Sequence, residues 1–106
     1  MILDVNSENL EEILKSKGVV ILKFQAEWCG PCKMLKPTIN KLNEENNDTL
    51  IIGQVDVDTN QEIAKSYNVR SIPTLIFIKD GLEIERTTGL RPITEYQTKI
   101  NDLIID

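Results

Sequence analysis

The chain has 106 residues, of which 41% are hydrophobic and 27% charged, with a formal net charge of −5. That is the size and balance of one globular domain, residues 1–106, with no room for a second core. Interspersed charges of both signs argue against nucleic acid or an anionic membrane as partner, no apolar run is long enough to span a bilayer, and Met1 to Asn6 lacks the basic and apolar regions of a signal peptide, which makes the cytoplasm the expected compartment.

Ile2 to Val5 is a short apolar run. Leu10, Ile13 and Leu14 then fall on one helical face, with Ser7 as its N-cap and Gly18 placed to close the helix. Val19 to Phe24 is too continuously apolar for an edge strand, so it belongs at the centre of a sheet, covered on both faces. Leu35, Ile39 and Leu42 repeat at helical spacing, and Pro37 inside that segment predicts a kink. Leu50 to Val57 reads as a third strand. Thr59 and Glu62 make a capping-box pattern that opens a short helix carrying Ile63, Ala64 and Tyr67. Thr74 to Ile78 is a fourth strand, Asp80-Gly81 a hairpin signal, and Leu82 to Thr88 the antiparallel return. Pro92 suits the first turn of a last helix burying Ile93, Tyr96, Ile100, Leu103 and Ile104. The order β-α-β-α-β-α-β-β-α predicts an α/β fold. Crossovers build a parallel core and the terminal hairpin makes the sheet mixed, with helices on both faces.

The only two cysteines, Cys29 and Cys32, lie three positions apart, and the chain has no histidine. That absence removes Cys–His nucleophiles, Ser–His triads and most zinc ligand sets. In a compartment that keeps thiols reduced, a close pair reads as redox or metal chemistry before it reads as a staple. Trp28-Cys29-Gly30-Pro31-Cys32 falls where a central strand ends and a helix begins. The first turn of a helix offers unpaired N–H groups and a partial positive charge, and both stabilise a thiolate, the attacking species. Cys29 is then the exposed nucleophile, and Cys32, one turn into the helix, the less exposed thiol that resolves the mixed disulfide. Pro31 keeps the turn stiff. Three blander readings stand beside this one. A structural disulfide closing so small a loop would remove little unfolded-state entropy. A zinc site would need two more ligands from carboxylates or a partner chain. Two ordinary core cysteines would need no chemistry at all. The redox reading leads.

At this point the residues resemble the thioredoxin family. Ala26 to Met34, with Cys-Gly-Pro-Cys at its centre, is similar to the family's active-site signature, and differs from the Cys-Pro-Tyr-Cys usual in glutaredoxins. Pro37 matches the family's helix-kinking proline, Ile72-Pro73-Thr74 its cis-proline loop, and Gly81 and Gly89 its glycines. The resemblance spans essentially the whole chain. It implies the thioredoxin fold, a central five-stranded mixed β-sheet flanked by four α-helices, and a protein-disulfide reductase that works as a monomer. It implies no metal and no cofactor beyond the redox-active Cys29–Cys32 pair. It also implies re-reduction by a thioredoxin reductase, NADPH-linked or ferredoxin-linked, and clients that are disulfide-containing proteins. Taken alone, Pro73 reads as a trans proline at a strand start. The resemblance makes it cis and sets it against the cysteines, with Ile72 offering backbone groups to an extended substrate strand. Trp28 shields the site and supplies an apolar substrate contact, Gly89 lies at the rim of the groove, and Gly30 and Pro31 shape the active-site turn. Glu27 and Lys33 read as solvated flanking charges.

Two positions depart from the family. Its buried aspartate, six residues before the first cysteine, is here Lys23, and a neighbouring-strand Lys or Glu is Gln54. By resemblance, that aspartate takes a proton from the resolving cysteine through water, which a protonated lysine cannot do. Three behaviours follow for Lys23. It could stay charged, favour thiolates and make the protein a stronger oxidant. It could lose its proton on burial and serve as the missing base. Or its stem could snorkel to water and do neither. Asp56 on the neighbouring strand is its candidate partner. The leading function is a general disulfide reductase. Beside it stand a more oxidising exchanger resembling a disulfide-isomerase domain, and a redox-independent protein-binding module built on the rim of Trp28, Ile72 and Gly89.

Overall fold

The computed structural model describes residues 1–104. In chain order the elements are β1 (Ile2–Asp4), α1 (Leu10–Leu14), β2 (Val19–Gln25), α2 (Gly30–Met34), α3 (Lys36–Glu45), β3 (Leu50–Asp56), α4 (Gln61–Ser66), β4 (Thr74–Lys79), β5 (Leu82–Thr88) and α5 (Ile93–Ile104). The strands form one sheet in the order β1-β3-β2-β4-β5. β1, β3 and β2 run parallel, β4 is antiparallel to β2, and β5 is antiparallel to β4. The parallel core therefore contains three strands, and the connection through α4 already reverses the chain. α2 and α3 are two segments of one helix broken at Leu35, which caps the end of the first and the start of the second. Pro37 lies at the start of α3 and has no N–H for the carbonyl four residues back, which is the expected kink. Counting that pair once, four helices cover the sheet among the described residues.

Side-chain alternation along β2 divides the core in two. Val19 and Ile21 face Leu35, Ile39, Leu42, Tyr96 and Ile100, while Val20, Leu22 and Phe24 face Ile13 and Ile63. Both faces are buried, as the continuous apolar run required. Tyr96 is fully buried, its ring centroid 6.4 Å from that of Phe77, and its hydroxyl accepts the Arg91 N–H at 3.2 Å. On α5, Tyr96 and Ile100 are buried, whereas Ile93, Leu103 and Ile104 are only half-buried.

Three local expectations need correction. Ser7 does not cap α1. Asn6 Oδ1 accepts the N–H groups of Glu8 and Asn9 at 2.8 and 3.0 Å, and Asn9 Oδ1 accepts that of Asn6 at 2.8 Å. An amide side chain closes this local turn, so the helix proper starts only at Leu10. Gly18 does not end the helix, which stops at Leu14 with Lys15 as its C-cap. Gly18 instead takes φ +89° before β2, where a Cβ would stand 2.6 Å from the Thr49 carbonyl oxygen, so only glycine fits. Thr59 and Glu62 form no capping box. α4 begins at Gln61, and the Thr59 hydroxyl and Asn60 amide both donate to the Asp56 carbonyl, at 3.5 and 3.1 Å. The Asp80-Gly81 turn does hold: both residues have positive φ, 53° and 79°, as a two-residue hairpin of type I′ requires.

Candidate active site

β2 carries the chain to the C-terminal end of the parallel strands, and α2 opens one short loop later. Cys29 is the N-cap of α2, in extended conformation, and its Sγ accepts the Cys32 N–H at 3.2 Å. Pro31 stands in the first turn, where a missing N–H leaves no helical bond unmade. Cys29 and Cys32 are joined in a disulfide with their Cα atoms 5.3 Å apart. An N–H aimed at Cys29 Sγ and the positive end of the helix both favour negative charge on that sulfur once the bond is reduced.

Residue exposure does not separate the two cysteines, contrary to the sequence-based expectation. Cys29 is 4% exposed and Cys32 3%. The bonded pair forms a small buried cluster with Ala26, against which Val57 and Ile72 pack. What distinguishes them is position on the helix: Cys29 caps it and Cys32 lies inside it. A Cβ on Gly30 would meet nothing within 4 Å, so the turn between the cysteines faces open space.

Trp28 is 69% exposed, and its indole N–H donates to Asp58 Oδ2 at 2.8 Å. Together with Glu27, Asp56 and Thr59 these two residues line a shallow hollow of about 470 Å³. Sequence reasoning missed Asp58. The available signal was its place just past the C-terminal end of a parallel strand, where functional groups gather in α/β sheets. The Ile72–Pro73 peptide is cis, Pro73 is buried, and its carbonyl accepts the Gly89 N–H at 2.9 Å. That bond ties Gly89 to the loop whose Ile72 packs on the disulfide. Glu27 and Lys33 are exposed.

Lys23 is 2% exposed, so it does not snorkel to water. It continues the row of Val19 and Ile21 on the face beneath the broken helix, and pairs across the strands with Gln54. Its Nζ donates to the Cys32 carbonyl at 3.4 Å. Asp56 is not its ion-pair partner; among the described residues Lys23 makes no ion pair, and Asp56 Oδ1 accepts the Asp58 N–H at 2.9 Å instead. Burial, and secondarily the Lys36 charge, push the Lys23 pKa below its ordinary 10.5. Lys23 and Cys32 both line a cleft of about 630 Å³, which Gln54, Asp56 and Lys36 also border. The structure thus gathers Cys29, Cys32, Ile72 and Lys23 around the disulfide, with Trp28 beside it and Gly89 one hydrogen bond behind.

Over residues 1–102 the chain matches the family model described as Thioredoxin. It is 48% identical over 86 residues to the thioredoxin of Bacillus subtilis (strain 168), covering 81% of this chain and 83% of that protein. It is 45% identical over 91 residues to the thioredoxin of Chlamydia caviae, covering 86% and 87%. Among solved structures, a point-mutant thioredoxin from Halobacterium salinarum NRC-1 superposes with a TM-score of 0.90 at 34% identity, covering 97% of this chain and 90% of that one.

Proposed function

The chain belongs to the thioredoxin family and is a thiol–disulfide oxidoreductase, and from that premise we propose that Cys29 attacks client disulfides while Cys32 resolves the product. The Cys29 thiolate attacks one client sulfur, forming a mixed disulfide and expelling the other client sulfur as a thiolate. Cys32 then attacks Cys29 Sγ, the intramolecular disulfide forms, and the second client sulfur leaves. Two electrons pass from the dithiol to the client. The observation that carries this order is the Cys32 N–H directed at Cys29 Sγ at the start of the helix.

Around that chemistry, Gly30 and Pro31 shape the turn, while Trp28, Ile72, Pro73 and Gly89 form the surface for an extended client segment. In this reading residues 1–106 act as a single domain and a monomer, in the cytoplasm. A thioredoxin reductase, NADPH-linked or ferredoxin-linked, restores the dithiol, and no further cofactor takes part. Among the described residues no helix is long and apolar enough to cross a membrane. Lys23 serves as the proton acceptor for Cys32. Burial without a carboxylate partner favours the neutral amine, which has a lone pair to offer, over an ammonium with donors left unbonded.

The test is the reduction of a disulfide-bonded reporter protein by the wild type, Cys29→Ser and Cys32→Ser. Cys32→Ser should trap a mixed disulfide with the reporter; Cys29→Ser should trap none. Trapping by Cys29→Ser instead would reverse the assignment, and failure of the wild type to reduce the reporter would leave the binding module. Lys23→Asp should move the pH profile of the resolving step, and an unchanged profile would remove Lys23 from proton transfer.

A further inference from the structure

The cleft beside the disulfide is polar, and its one buried cationic side chain, Lys23, makes no ion pair with the acids that border it. Lys23 ends in a primary amine with a single hydrogen bond, to the Cys32 carbonyl, and no ion pair among the described residues. Charged groups border the cleft from every side: Asp4 of β1, Asp56 of β3, Glu27 of the loop, Lys33 of α2 and Lys36 of α3. Of these, Lys36 is the one whose charge is felt at Lys23. A lysine that is desolvated and next to a second cation is the arrangement that turns an amine into a nucleophile. Access decides the electrophile. At 2% exposure Lys23 admits only a very small one, while the cleft of about 630 Å³ leaves room for the group it would add.

We propose that Lys23 is a site of reversible carbamylation by carbon dioxide, with Lys36 as the cation beside the product. The amine nitrogen attacks the carbon of CO₂, the N–C bond forms as one C–O π bond opens onto oxygen, and the nitrogen releases a proton to solvent. No electrons are exchanged with an outside donor. The product is a carbamate, a side chain ending in a negative group within the cleft that Cys32 lines. Gln54, directly across the strand pair from Lys23, and Lys36 supply an amide donor and a positive charge for it. The inference rests on the reading that Lys23 is a buried free amine. It does not depend on which cysteine attacks or on proton transfer by Lys23, because the modification is detected without any redox step.

The oxidised protein is equilibrated with isotope-labelled bicarbonate near neutral pH, alkylated on oxygen with a trialkyloxonium salt, digested, and read by mass spectrometry. The terminal amine of Met1 serves as internal positive control. The label should concentrate on Lys23 over the exposed Lys15, since each unit of lowered pKa raises the free-amine fraction about tenfold. Lys36→Gln changes a surface residue, leaves the amine in place and removes the cation, so it should lower the label at Lys23 several-fold. Lys23→Met should abolish it. Labelling of Met1 with none at Lys23, equal labelling of Lys23 and Lys15, or a Lys23 signal unchanged by Lys36→Gln would each overturn the proposal. A failed labelling experiment beside a shifted Lys23→Asp pH profile would reject carbamylation and leave the proton-transfer role standing.

Discussion

Replacing Lys23 by methionine tests the central electrostatic argument through stability rather than activity. Methionine keeps an unbranched chain of similar size in the space Lys23 occupies and removes only the ionisable end. Lys23 is 2% exposed, and burial, reinforced by Lys36, lowers its pKa from 10.5. Between that lowered value and 10.5 the unfolded chain holds one proton more than the native one. Stability of the wild type therefore rises with pH across the window, by up to about 1.4 kcal/mol per pH unit. Below the window the amine is protonated in both states and the full cost of burying the charge is present; above 10.5 that cost is gone. Lys23→Met lacks this dependence. Subtracting its stability from that of the wild type should leave a difference that is flat at low pH, climbs through the window and levels off. The assay is urea unfolding of the oxidised proteins at a series of pH values, comparing midpoints at unchanged slope. Oxidation keeps thiol titration out of the comparison. Tyr67 and Tyr96, both with raised pKa values, are present in both proteins and cancel in the difference. Parallel curves for the two proteins would mean that Lys23 titrates alike folded and unfolded, and would refute both the amine-base reading and the reactivity inferred from it.

Asp58→Ala removes the acceptor that holds the indole of Trp28. Since this is the only tryptophan, fluorescence reports it alone; emission and accessibility to iodide should change while stability falls by less than about 1 kcal/mol, and an unaltered spectrum would show that the bond does not fix the ring. Ile39, 1% exposed on the kinked helix, belongs to the buried cluster that joins Leu35 to the sheet residues, so Ile39→Ala should cost about 2–5 kcal/mol in urea unfolding; a loss under about 1 kcal/mol would contradict its placement. Gly18→Ala should destabilise by at least about 1 kcal/mol, because it combines φ +89° with a clash against the Thr49 carbonyl. A neutral result there would mean that the turn before β2 relaxes freely.

Features set by a few consecutive residues were legible in the sequence, and features that depend on a neighbouring strand or loop were not. Val19 to Phe24 announced a doubly covered strand, and Pro37 and Asp80-Gly81 marked a kink and a hairpin that the structure contains. These signals are local: each rests on steric rules obeyed by a few consecutive residues. The caps failed because several polar residues compete for each helix start. Asn6 displaces Ser7 by closing a turn with Asn9, and Asp56 draws Thr59 and Asn60 away from the start of α4. Gly18 was read as a helix end because the close approach of Thr49, thirty-one residues later in the chain, leaves no trace in the residues around it. Asp58 was missed for the same reason: its partner, Trp28, lies thirty positions away.

The candidate active site divides along the same line. Cys29, Gly30, Pro31 and Cys32 are contiguous, so their helix-start geometry could be inferred from spacing alone, but their exposure could not. Residues remote in sequence, Val57 and Ile72, pack on the cluster that holds both cysteines, and Cys29 ends up as buried as Cys32. Lys23 is the more instructive case. Its place in the row of Val19 and Ile21 already put it on a covered face of the central strand. What the row could not disclose was whether the flexible stem finds an exit or an acid. Asp56 lies within the same cleft yet is held by the Asp58 N–H, and the space above Lys23 is occupied by the cysteine-bearing helix, whose Cys32 carbonyl takes its single bond. Burial without an acid partner lowers the affinity of the amine for its proton, because the ammonium loses its hydration and gains no compensating charge. The floor of the site therefore carries a lysine whose hold on its proton is weakened by burial and by the Lys36 charge, next to the Cys32 carbonyl, and the pH dependence of that amine is the chemistry to examine there.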